Sequence, residues 1–461
     1  MIKTIIGYLP SIVIPTIISL ITTVIYGNYM EPENYGEYNI FLTTVSIVNT
    51  LLFSFMSSSV LRFYNSFENN NQQFKVVSTY VLTTLGLLLI LNVFIFPFKG
   101  FEGVFLVCCI GFIGIINLFT NILRASENIK WFNIIKSLIP LCTLFIVLYY
   151  VFYGTLNTKN AILSMYIPMG FLSFIMALVF LKQGLIRFNS EAYEKKIFKD
   201  SIKYGMPLAF SGLLYLVLSS SNRYLISYFL GNTQVGIYSF AYRIAELSLV
   251  NVTMIIILAT HTQLVKEYDQ FGKQRAEKLL NKYLSLHFII IIPVVILMTF
   301  YVDEFMNVIF PVYSEGAIIV KFTIIGTMFF TISAYTDKAF QLTKNTRVIL
   351  KVLLICGLLN ILLNLILIPK IGIEGAIIAT IFTYVVYVWL SVKLSEKYIK
   401  IVFPFKTIFY LLVVNILISL LIFVIDKNLL INNIGRSILG IIIYIILYSL
   451  SIYFLYKNKR I

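Results

Sequence analysis

The chain has 461 residues, of which 59% are hydrophobic and only 12% charged, with a mean hydropathy of +0.91. Many stretches of about 20 apolar residues, each able to cross ~30 Å of hydrocarbon, indicate an all-α, polytopic helical membrane protein, and their continuity excludes a membrane β-barrel. The net charge of +16 comes from basic residues in short loops, which points to membrane orientation and away from nucleic-acid binding.

Fourteen spans are predicted, at residues 4–26, 38–60, 76–97, 103–123, 132–152, 161–181, 205–229, 236–258, 284–302, 316–338, 349–368, 372–392, 404–425 and 434–456. The first run is long and lacks a small-residue cleavage site, so no cleaved leader is expected. Cys108, Cys109, Cys142 and Cys356 lie inside apolar spans without a CxxC pair, and only two histidines are present. A disulfide framework, a metal site or another cofactor is therefore not expected.

With this count the loops alternate in basic content. Of the 36 Lys and Arg residues, 28 fall on one side and five on the other, and Arg223, Arg243 and Lys321 lie within spans. The asymmetry places both termini in the cytoplasm. Two longer connections on the basic side, 182–204 and 264–282, are charged and amphipathic, and are predicted to lie as surface helices along the membrane.

The first of these falls between spans six and seven, where a boundary between two lobes is expected. An internal repeat supports it: MEPENYGEYNIF (30–41) and GNTQVGIYSFAY (231–242) both place Gly-x-Tyr at the start of a span. The span before each copy carries a proline, Pro10 or Pro207. Parallel repeats of this kind form a transporter layout with the substrate site between lobes. The expected organisation is an N-terminal lobe at 1–185, an amphipathic linker at 186–204, a C-terminal lobe at 205–395 and a final helical pair with its tail at 396–461.

Charges deep in a membrane are costly and mark substrate or ion paths by default. Arg223 and Arg243 are expected roughly 10 Å below the outer surface on neighbouring antiparallel helices, with Lys321 at similar depth. Glu246 follows Arg243 by three residues and shares its helix face. The group reads as a cationic cavity, or as an Arg-Glu pair tying helices together. Asp337 is a second candidate ion-coupling carboxylate beside Glu246. In the first lobe, Asn39, Thr43 and Ser46 share a face that can line a polar path or hydrogen-bond between helices. Arg62 and Arg124 sit at the cytoplasmic ends of their helices. His261 and His287 read as packing or interface residues.

The stretch NRYLISYFLGNTQVGIYSFAYRI (222–244) resembles the seventh-to-eighth helix hairpin of the Wzx-type polysaccharide-export flippases of the MOP exporter superfamily. MEPENYGEYNIFLTTVSIVNTLLFSFMSSSVLRF (30–63) is similar to that family's first loop and second helix, and LIPKIGIEGAIIATIFTY (367–384) to its eleventh-to-twelfth helix connection. One departure is visible: Asn222 stands where an acidic residue often precedes the arginine, which questions ion coupling there. The resemblance implies a bacterial cytoplasmic-membrane flippase, not an enzyme. Its cargo would be an undecaprenyl-pyrophosphate-linked oligosaccharide for capsule or O-antigen assembly, with membrane lipids and a polysaccharide polymerase among its partners. On that basis Arg223, Arg243, Lys321, Arg62 and Arg124 would receive the pyrophosphate, and an H⁺ or Na⁺ gradient would supply the energy. Two alternatives remain: an ion-coupled small-molecule exporter of the same superfamily, and a membrane-embedded polymerase or glycosyltransferase. The latter would need catalytic groups on a sizeable outer loop, and all outer loops are short.

Overall fold

The computed structural model describes residue 7 and residues 9–64, 73–189, 192–428 and 433–457. Among them are fourteen α-helices and no strand. In chain order these are α1 (Pro10–Tyr29), α2 (Pro32–Phe63), α3 (Gln73–Ala125), α4 (Ile129–Phe152), α5 (Thr158–Lys182), α6 (Lys195–Ser220) and α7 (Asn222–Leu230). They continue with α8 (Asn232–Phe271), α9 (Lys273–Ile309), α10 (Ala317–Leu342), α11 (Arg347–Ile371), α12 (Ile373–Ser395), α13 (Phe405–Asn428) and α14 (Asn433–Lys457). Among the described residues, twelve helical stretches are long and apolar enough to cross a membrane. The 53-residue α3 counts once although its backbone breaks at Gly100, where the sequence predicts two spans. The apolar part of α14, Leu439–Tyr453, is shorter than the rest.

Two sequence expectations change. Residues 264–282 do not form a separate surface helix: α8 and α9 run on past their apolar parts and meet at a turn on Gly272 (φ 76°). The Arg275 guanidinium closes this hairpin on Glu267 at 3.1 Å. Residues 186–204 are likewise no single amphipathic helix. Of these, residues 186–189 and 192–194 are non-helical and laced to the start of α3: the Arg187 amide donates to Ser78 Oγ (2.8 Å) and the Glu194 amide to Thr79 Oγ1 (2.9 Å). Lys75 pairs with Glu194 at 3.3 Å, and the Arg187 guanidinium lies 4.0 Å over the Phe74 ring. Their last part, from Lys195, is the opening of α6.

The chain divides into two compact units. Unit 1 comprises residues 1–30 and 37–221, and unit 2 comprises residues 31–36 and 222–461. The division runs through the expected seventh span, so α6 groups with unit 1 and α7 with unit 2. Within unit 1 the reason is local: the Tyr80 hydroxyl meets Ser201 Oγ at 2.5 Å, Ser59 Oγ donates to the Ser201 carbonyl at 3.2 Å, and Gly205 lies against the Phe55 backbone.

Residues 31–36 group with unit 2 because the repeat motif packs against its own second copy. A Cβ on Gly36 would run into the Asn232 carbonyl, and a Cβ on Gly236 into the Pro32 carbonyl. The offsets match, four residues in each copy, so the contact is reciprocal. Only glycine allows backbones this close. Around it Tyr35, Phe240 and Tyr313 form an aromatic cluster, with Phe240 and Tyr313 stacked at 4.2 Å.

The C-terminal pair is fastened along α9. Pro293 has no amide hydrogen, which leaves the Ile289 carbonyl without its helical donor. Tyr448 of α14 supplies one, its hydroxyl donating to Ile289 O at 2.5 Å. One turn earlier, the Tyr444 hydroxyl reaches the Pro293 carbonyl at 3.4 Å and also bonds Asn415 of α13. Further along, Gly440 lies against Tyr301. At the other end, Asn281 holds the connection into α13, accepting from the Val402 amide (2.9 Å) and donating to the Lys400 carbonyl (3.0 Å). The Lys400 amide donates to Glu277 at 2.9 Å.

Two outcomes are expected. Gly36→Ala and Gly236→Ala should each destabilise the protein by about 1–3 kcal/mol through overpacking, while Gly86→Ala, with open space around it, should be neutral or stabilising by about 0.5–1 kcal/mol. Thermal unfolding of the detergent-solubilised protein checks both signs. Tyr448→Phe should cost about 1–3 kcal/mol by leaving a carbonyl unpaired. In a Pro293→Ala background, where the helix provides its own donor, the same change should cost much less; an equal cost in both backgrounds would refute the capping role.

Candidate functional site

The α7–α8 hairpin of unit 2 carries three of the charged residues that the sequence singles out, Arg223, Arg243 and Glu246. α7 begins at Asn222, with Ser221 alone between it and the end of α6, and ends at Leu230, after which the chain turns at Gly231 into α8. Ser227 Oγ donates to Asn232 Oδ1 across this turn at 2.7 Å. Arg223 precedes the turn by eight residues and Arg243 follows it by twelve. At 1.5 Å per residue these are about 12 and 18 Å of helix.

Three residues apart on α8, Arg243 and Glu246 pair through Arg243 Nη1 and Glu246 Oε2 at 3.5 Å. Their side chains keep 38% and 32% of their surface exposed, so neither is sealed against an incoming polar group. Arg223 is half-buried and, like Glu246, lies within electrostatic reach of the Tyr238 hydroxyl. Glu246 also reaches Tyr242 electrostatically. The opposite side of α8 is apolar: Ala245 and Leu249 pack against Ile291 and Val295 of α9 and Ile324 of α10.

Behind the charges stands a buried layer of neutral polar groups. The Asn222 side-chain amide is 1% exposed and donates to the Tyr238 hydroxyl (2.8 Å) and Thr380 Oγ1 (2.9 Å). Tyr242 and Tyr384 share a hydroxyl–hydroxyl bond of 2.9 Å. Asn364 donates to the side chain of Asn360 at 3.0 Å, and Asn360 approaches Thr383 at 3.5 Å. These contacts tie α7, α8, α11 and α12 together, so Arg223 projects from a helix start anchored on two partners. The sequence expectations did not include this layer. Its signal was the helical spacing of Tyr238 with Tyr242, Asn360 with Asn364 and Thr380 with Thr383.

The remaining expected site residues lie elsewhere. Lys321 pairs with Asp303 at the α9–α10 end of unit 2. Asp337, on α10, accepts the Tyr387 hydroxyl on both carboxylate oxygens at 3.1 and 3.0 Å, while Lys338 donates to Gln341. In unit 1, Arg62 lies 4.4 Å over the Tyr204 ring, and Arg124 is exposed at the end of α3. Asn39 and Ser46 are half-buried, whereas Thr43 is buried and donates to the Asn39 carbonyl of its own helix at 2.7 Å. Asn49 bonds the Ile110 carbonyl at 3.1 Å. His287 is buried against Thr331, and His261, beyond the apolar part of α8, is held below the ordinary imidazole range by partial burial and next by Lys338. Among the described residues no three of His, Cys, Asp and Glu come together as a metal site requires.

Comparison with known proteins agrees with this architecture. The polysaccharide biosynthesis protein family matches residues 2–261, and the MatE family matches residues 207–366. An uncharacterised membrane protein of Methanocaldococcus jannaschii is 25% identical over 44% of this chain and 41% of its own length. A Shigella flexneri protein named as an O-antigen transporter is 24% identical over 62% of this chain and 70% of its own length. A Haloferax volcanii protein named as a low-salt glycan biosynthesis flippase is 22% identical over 56% and 54%. The match thus spans about half the length of two of these three relatives. Among solved structures, the lipid II flippase MurJ in its inward closed conformation superposes with a TM-score of 0.77 at 17% identity over the whole of both chains. An inward-facing multidrug resistance MATE transporter of the MOP superfamily gives 0.69 at 14% identity over 85% of this chain and 97% of its own. The chain therefore has the fold shared by MurJ and the MATE transporters.

Tyr387→Phe should destabilise the protein by roughly 1–3 kcal/mol in thermal unfolding, because a half-buried carboxylate loses its donor. Adding Asp337→Asn should recover part of the loss.

Proposed function

Because the chain belongs to the polysaccharide biosynthesis protein family, we propose that it is a flippase that moves undecaprenyl-pyrophosphate-linked oligosaccharides across the bacterial cytoplasmic membrane. The observation that carries this reading is the placement of two arginines on one hairpin of a largely apolar unit, backed by an anchored neutral layer. The cargo has a polar sugar block and two phosphates on a long lipid. Its head needs a shielded polar path, while its tail can stay in hydrocarbon. Guanidinium forks suit phosphate oxygens because they donate two parallel hydrogen bonds. Arg223 and Arg243 would receive the pyrophosphate, and Arg62 and Arg124 would meet it on the cytoplasmic side.

Translocation would proceed by alternating access of the two halves, with both termini in the cytoplasm, the orientation favoured by the loop charges. Asp337, held by Tyr387, is the candidate group for coupling to an H⁺ or Na⁺ gradient. The units delivered would feed capsule or O-antigen assembly through a polymerase. A second reading is an ion-coupled small-molecule exporter, favoured by the MatE match over residues 207–366. It differs in cargo charge: drug-like cations would be repelled by the arginine pair.

Arg223→Ala and Arg243→Ala should each lower surface-polysaccharide output about 10-fold or more in a strain lacking the native gene, with membrane insertion unchanged. Lipid-linked oligosaccharide should accumulate on the cytoplasmic leaflet. Full complementation by both variants would reject the arginine site.

A further inference from the structure

Resting on the anionic cargo just proposed, we propose that Glu246 is a resident counter-anion that sets how tightly the site holds a prenyl pyrophosphate, with the neutral Asn222 as the complementary determinant. Arg223, Arg243 and Glu246 sum to a single positive charge. Glu246 already occupies Arg243 at 3.5 Å, and both remain about one-third exposed. A phosphate approaching Arg243 therefore displaces a carboxylate rather than water alone. The carboxylate is still on the same helix face when the cargo leaves. Binding and release become an exchange of one anion for another.

Asn222 marks the other side of this balance. Its amide is buried beside Arg223 and donates to two hydroxyls, Tyr238 and Thr380, of which Thr380 already donates to the Ala376 carbonyl at 2.7 Å. A carboxylate of the same size fits the same space and can accept from the Tyr238 hydroxyl. The trio would then face a second fixed negative charge in a poorly screened place. With asparagine there, no second carboxylate stands next to Arg223.

The full chain in nanodiscs, titrated with geranylgeranyl pyrophosphate by calorimetry, tests this. Glu246→Gln should tighten binding by about 5-fold and Asn222→Asp should weaken it by about as much, effects of one partly screened unit charge. The double variant, which restores the wild-type charge sum, should return near the wild-type affinity. Unfolding temperatures close to wild type in all three separate this from a structural role, which would weaken binding in every variant. If Arg243→Ala abolishes binding but Glu246→Gln leaves it unchanged or weaker, the counter-anion inference is wrong and the flippase reading stands. A double variant that fails to compensate would overturn the inference in the same way. If Arg243→Ala binds like wild type, or the wild-type chain does not bind the probe, both fall.

Discussion

A polar group without a partner in an apolar interior costs more than almost any other local defect, and this constraint organises the whole chain. Hydroxyls in the helices meet it locally, as Thr16, Thr23, Thr84 and Thr253 do by donating to carbonyls four residues back. Where a helix cannot satisfy itself, another helix does so. The Tyr448 hydroxyl beside Pro293 and the Asn222 amide at the start of α7 are two versions of one solution. The first fastens the C-terminal pair to unit 2, and the second fixes the start of the helix that carries Arg223.

Much of the architecture was legible because membrane spans are long and their signal is strong. The spans expected at 76–97 and 103–123 correspond to the two arms of α3 on either side of Gly100. Helix type was readable at 264–282 too, but not helix direction. Amphipathic composition suits an interfacial helix and a helix extending beyond the membrane equally well, and the turn at Gly272 decides between them. The seating of Arg187 and Glu194 on α3 was illegible because their partners, Ser78 and Thr79, are more than 100 residues away in sequence.

The charged site was partly readable. Arg223, Arg243 and Glu246 stand out in apolar surroundings, and the i,i+3 spacing anticipates the Arg243–Glu246 pair. Lys321 looked equivalent by depth, yet Asp303, eighteen residues earlier, takes it. Thr43 shares a face with Asn39 and Ser46 but turns its hydroxyl to its own backbone. Spacing identifies faces, whereas the partner of each polar atom depends on which helices adjoin.

The seating of α14 on α9 also bears on how this architecture can shorten. A descendant that shed its last two helices would uncover the Ile289 oxygen as well as a greasy surface. Losing the proline at 293 would mend that exposure in a single step, since any other residue restores the missing hydrogen. Chains of twelve spans built on this plan should then favour a ninth helix without this proline, and the proline and the tyrosine should be inherited or lost together.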